Sequence, residues 1–171
     1  RAGDAMILFL VIITPAFLAQ GDNDFRYGAG DMFGKGTQVY EDRIKVESTF
    51  GKTNQMVMMV PRGDTAKEKE LSDAIYEIPQ VTNVISYVDT AGAEVPIEYL
   101  DEDTLSQLVS EHYSRMVISV STEPEGKDAF SVVEKLRQLG KYYGGEYLLA
   151  GDSVSTYDMR EVTTSDMQVV N

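Results

Sequence analysis

The chain contains no cysteine and one histidine. Without cysteine there is no disulfide frame, no thiol nucleophile and no cysteine-based zinc site. One histidine removes every site that needs two. Positive charge is scarce as well: 15 Lys and Arg stand against 28 Asp and Glu, a formal net charge of −13 at pH 7. A surface of that sign repels phosphate backbones, which argues against nucleic acid as a partner. What is present is apolar material, 43% of 171 residues, enough for the core of one domain.

That apolar material is concentrated first near the start. Residues 5–19 read AMILFLVIITPAFLA, uncharged and interrupted only by Thr14 and Pro15. A bilayer-spanning helix needs about 20 such residues, so the run is short by roughly a turn. Three readings fit it. It is the end of a transmembrane helix whose first turn lies upstream of Arg1, or a signal-like segment, or a core helix enclosed on all sides. Phe17 and Ala19 do not make the usual small-x-small cleavage site, and Pro15 is better tolerated in a lipid helix than in a soluble one. Residues 1–20 are therefore expected to be the C-terminal part of a transmembrane helix, with residues 21–151 on the extracytoplasmic side of a cell membrane.

The rest divides by pattern. Residues 21–53 form a linker loop and a helix: Gly21 to Thr37 is rich in Gly, Asp and Asn, then Thr37 caps a helix that ends at Phe50 before Gly51. Residues 54–151 show strand, helix, strand twice over. Strands are expected at Asn54–Val60, Val81–Val88, Arg115–Thr122 and Glu146–Ala150. The helices between them run from a cap at Asp64 or Thr65 to Ile78, and from Asp128 to Tyr143. An insertion, 91–114, holds a helix from Glu102 to His112. This order predicts an α+β, ferredoxin-like βαβ-βαβ sandwich, an antiparallel sheet with helices on one side. Residues 152–171 read as a helix leading toward a next transmembrane span, or as a C-terminal surface helix.

Sites for chemistry do not emerge. Gly30 to Thr37 resembles a phosphate loop, but Gly36 separates Lys35 from Thr37 and no strand precedes it. Asp22, Asp24 and Asp31 suggest a calcium loop, yet Arg26 and Phe33 occupy positions where carboxylates are needed. His112 lies on the apolar stripe of its expected helix, and Asp101, Glu102 and Asp103 suit that helix's negative first turn. The chain is expected not to be an enzyme, and neither cofactor nor metal is expected.

Taken in order, the apolar segment ending PAFLAQ, then NDFRYG, FGKTNQMVMMVPRGD, two β-α-β units and LAGDSVSTYDMREV carry a likeness. The chain resembles, along essentially its whole length, an extracytoplasmic porter loop of a bacterial transporter of the resistance-nodulation-division (RND) superfamily, in the MMPL family. That resemblance implies a piece of a larger polytopic protein that moves lipids, drugs or other hydrophobic compounds, driven by proton movement through membrane helices outside this chain. It implies as partners the lipid bilayer through residues 5–19, the remainder of the parent transporter, and amphiphilic small molecules. The alternative is a membrane-anchored extracytoplasmic sensor or assembly module built on a ferredoxin-like domain. Ligand-facing candidates are Met56, Met58, Tyr87 and Met116, because adaptable Met and Tyr side chains on an exposed strand face suit amphiphiles. Core filling is the competing reading for the methionines.

Overall fold

The computed structural model describes residues 9, 11–15, 34–52, 54–92, 99, 102–143 and 146–170. From Gln38 onward, four strands and six helices follow one another among the described residues: α1 (Gln38–Phe50), β1 (Asn54–Pro61), α2 (Thr65–Tyr76), β2 (Val81–Ile85), α3 (Tyr87–Thr90), α4 (Glu102–Leu108), β3 (Tyr113–Val120), α5 (Lys127–Tyr143), β4 (Leu148–Gly151) and α6 (Asp152–Val170). The strands make one sheet in the order β2-β3-β1-β4, with every neighbouring pair antiparallel. The fold is α+β.

Strand alternation decides the layers. Side chains of successive strand residues point to opposite faces, and Met56, Met58, Val60, Met116, Ile118, Val120 and Val84 fall on the covered one. Helix residues spaced by three and four meet them: Leu71 and Ile75 from α2, Val132, Val133 and Leu136 from α5, and Val154 from α6. One face of the sheet is thus roofed by helices, and among the described residues no helix covers the other. A smaller cluster of Tyr87, Val88 and Leu108 closes the space beside α3 and α4.

Helix ends follow local chemistry. Asp64, rather than Thr65, caps α2 by accepting the Lys67 N–H at 3.0 Å. Thr37 accepts the Tyr40 N–H at the start of α1, and Gly51, at φ 81°, ends it in a conformation that glycine takes without strain. Gly140, inside α5, serves packing instead: a Cβ there would lie 2.5 Å from the Tyr147 ring.

Several expectations need correction. Val81–Val88 is not one strand, because the chain turns at Ser86. Its Oγ accepts the Asp89 N–H at 3.2 Å and donates to Asp89 Oδ2 at 2.6 Å, so a short helix starts where alternation had suggested more strand. The helix expected from Glu102 to His112 ends at Leu108, where Val109 bridges to Ser114. His112 then sits in the turn before β3, exposed, and its carbonyl accepts the Arg62 N–H at 2.9 Å.

No helix among the described residues is long and apolar enough to cross a membrane. Of the run 5–19, residues 9 and 11–15 are described; they are helical, and the rest of the expected transmembrane segment 1–20 lies outside the described residues. Phe9 and Val11 are 64% and 63% exposed. Most of the expected loop 21–37, with Asp22, Asp24 and Asp31, also lies outside the described residues, as do residues 93–98, 100 and 101 of the insertion.

Candidate ligand-binding face

The four ligand candidates lie inside the domain. Met56, Met58 and Met116 are fully buried under the helices, and Tyr87 is buried against Val88 and Leu108. The premise that they occupy an exposed strand face is therefore wrong. Alternation had put Met56 and Met58 on one face, which holds, but that face is the roofed one. A ligand reaches none of these side chains without parting helix from sheet.

The opposite face is the one left open, and the strand register gives its composition row by row. Leu148, Met59 and Arg115 lie side by side across β4, β1 and β3. The next row is Ala150, Val57, Val117 and Ile85, spanning all four strands. Pro61 pairs with Tyr113 on one side of these rows, and Gln55, Ser119 and Asn83 form a polar row on the other. None of these twelve positions is Asp or Glu, on a chain of net charge −13. Ile85 and Leu148 are 42% and 53% exposed, and Val57, Met59, Val117 and Arg115 are half-buried. Arg115 is the one charged residue among these twelve positions. Its Nε is enclosed and has no hydrogen-bond partner.

This face was missed because the candidates were chosen by residue type. The signal was in the alternation: Val57 and Met59 are apolar on the side opposite Met56 and Met58, and a strand with two apolar faces has something to cover on both. Arg115, the first residue of the expected third strand, carried no local sign of importance. Its setting arises from pairing with Met59, 56 positions earlier in the sequence.

Three polar groupings remain. Glu68, on the buried stripe of α2, is 2% exposed. Burial pushes its carboxyl up from the ordinary range, against hydrogen bonds from the Ser114 side chain and the Gly63 backbone N–H and the nearby Arg62 charge. The Tyr143 phenol close by is pushed up to about 12 by burial and by the Glu68 and Asp64 carboxylates, and Lys67 Nζ stands 4.8 Å from its ring centre. Asp89 gathers Ser72, Ser86 and Lys69, pinning α3 to α2. At the start of α5, a cleft of about 340 Å³ is lined by Lys52, Gln80 and Ser121 together with the acidic Glu123, Glu125 and Asp128. Lys52 and Glu123 there are paired at 2.5 Å.

Among the described residues, no three His, Asp or Glu side chains stand together in a way that could hold a metal ion. No family model matches the chain, and no curated protein matches it.

Proposed function

We propose that this chain is an extracytoplasmic porter domain of a proton-driven RND-superfamily exporter of the MMPL family, and that its sheet forms part of the path taken by hydrophobic or amphiphilic compounds. The observation that carries the reading is where the chain enters and leaves the sheet. β1 begins beside the end of β4, with Met56 opposite Gly151, and Asn54 Nδ2 donates to Ser153 Oγ at 2.6 Å. The two connections of the domain therefore meet at one point, as they must in a loop strung between two neighbouring membrane helices.

Other features support the same reading. Strand order β2-β3-β1-β4 with helices after β1 and β3 is what a ferredoxin-like sandwich requires. Helix α1, just before the sheet, buries no side chain, and Val39, Val46 and Phe50 face outward on it. It behaves as a connector that has its partners elsewhere. The open apolar face supplies a wall that a second domain of the parent protein would turn into a cleft.

The test is the size and membrane behaviour of the native polypeptide. An antibody against residues 64–87 is applied to alkaline-washed membranes of the source cell. A band far larger than 19.0 kDa that resists extraction is expected. A band near 19.0 kDa that stays with the membrane overturns the transporter reading in favour of the anchored sensor or assembly module. One released by alkali removes both.

A further inference from the structure

The open sheet face combines two features that are seldom found together on an acidic protein. It is apolar across four strands, and among its described strand positions the only charge is a guanidinium. Carboxylates outnumber cations in the sequence by 28 to 15, yet none occupies this face. An apolar surface of this kind marks a contact site. The sign of its lone charge then states what the contact must bring.

We propose that this face binds the anionic head and the chain of a single-chain carboxylate amphiphile, with Arg115 taking the head group and Met59 and Leu148 the first part of the chain. Arg115, Met59 and Leu148 are consecutive in one row across β3, β1 and β4. Strands stand about 4.8 Å apart, so the row runs roughly 10 Å from the backbone of Arg115 to that of Leu148, a length that a medium acyl chain covers. Val57, Val117 and Ile85 continue the apolar surface in the adjoining row. Methionine, flexible and polarizable, adapts to chains of different shape.

Arg115 suits an anionic head group. Its Nε is enclosed without an acceptor, and among the described residues it has no ion-pair partner. A guanidinium offers five donors in a planar fork that a carboxylate meets with two parallel hydrogen bonds. A carboxylate arriving from the open side meets the terminal Nη donors rather than the enclosed Nε, and pairing offsets the cost of holding a half-buried charge without a counter-ion. A second copy of the chain does not serve, because its own open face brings no carboxylate and both molecules carry −13. The inference deepens the transporter reading by naming the charge class of the cargo. Its test, however, stands apart from membrane behaviour, so either can fail without the other.

The experiment uses the full chain with labelled Met, Ile, Leu and Val methyl groups, titrated with decanoate, decyl maltoside and decyltrimethylammonium, each kept below its micelle concentration. Decanoate is expected to shift the methyl signals of Met59, Leu148, Val117 and Ile85 while those of Met56, Met58 and Met116 stay in place. Its affinity is expected to exceed that of the neutral probe by about tenfold. A preference for the anion runs against the protein's overall charge, so it reports a local cation. Arg115→Gln is expected to abolish the preference and leave decyl maltoside binding unchanged; Arg115→Lys is expected to keep part of it. Equal shifts with all three head groups, or shifts in the core methionines, overturn the proposal on the native chain alone. No shift with any probe also overturns it and leaves the face to a protein layer.

Discussion

Asn54 and Ser153, 99 positions apart in the sequence, share a 2.6 Å hydrogen bond in the interior. Ser153 Oγ passes the contact on by donating to the Pro124 carbonyl at 2.6 Å, and Asn54 Nδ2 also reaches Thr122 Oγ1 and the Glu123 carbonyl. One amide thus ties the start of β1, the loop before α5 and the first turn of α6. Replacing it with alanine leaves several buried acceptors without a donor. Asn54→Ala is expected to cost about 1–3 kcal/mol in urea denaturation. A loss under about 0.5 kcal/mol, within the range of ordinary surface changes, would show that the tie is not what joins the two ends of the domain.

Glu68 makes stability depend on pH in an unusual direction for a carboxylate. Its folded pKa is raised above the reference value of 4.5 by burial, so the native state holds the proton more tightly than the unfolded chain. Its contribution is therefore most favourable below 4.5 and is lost as pH rises through the raised folded value. Glu68→Gln keeps the shape without the charge. Its stability relative to the native chain is expected to improve as pH is raised from 4.5 through the raised folded value and then to level off. A difference that stays constant with pH refutes the assignment.

Met58 and Met59 are neighbours in sequence and lie on opposite faces of the sheet. Met58→Ala empties a fully buried site and is expected to cost about 2–5 kcal/mol. Met59→Ala, on the open and half-buried face, should lose well under half of that. Paired thermal or urea unfolding decides it. Equal losses would mean that the open face is as tightly packed as the roofed one.

Gly140 and Tyr147 offer a change of sign. In an exposed helix Gly→Ala gains about 0.5–1 kcal/mol, because alanine loses less backbone freedom. Here the new Cβ meets the Tyr147 ring at 2.5 Å, and overpacking of this kind costs about 1–3 kcal/mol. Gly140→Ala is expected to destabilise the native chain and to stabilise one that already carries Tyr147→Ala. A double-mutant cycle with no coupling would contradict the contact.

Much of the domain was legible from local pattern. The helices capped at Thr37 and Asp64, the apolar stripe of α5 and the strands around Met56 and Met116 all follow from periodicity and capping chemistry, which act over a few residues. The same reach explains the errors at Val81–Val88 and Glu102–His112. In the first, the Ser86–Asp89 cap overrides alternation. In the second, Val109 leaves the helix to pair with Ser114, a contact that exists only once β3 is in place.

The amino-acid sequence by itself determined which residues are apolar, how they alternate and what net charge surrounds them. It therefore determined an α+β domain with more apolar strand surface than one layer of helices can cover. Only the tertiary structure decided which face the helices take. That choice puts Met56, Met58 and Met116 out of reach and leaves Met59 beside Arg115 and Leu148. The reason is physical: periodicity assigns residues to opposite faces of a strand, but the face that is covered is set by where the connecting helices pack.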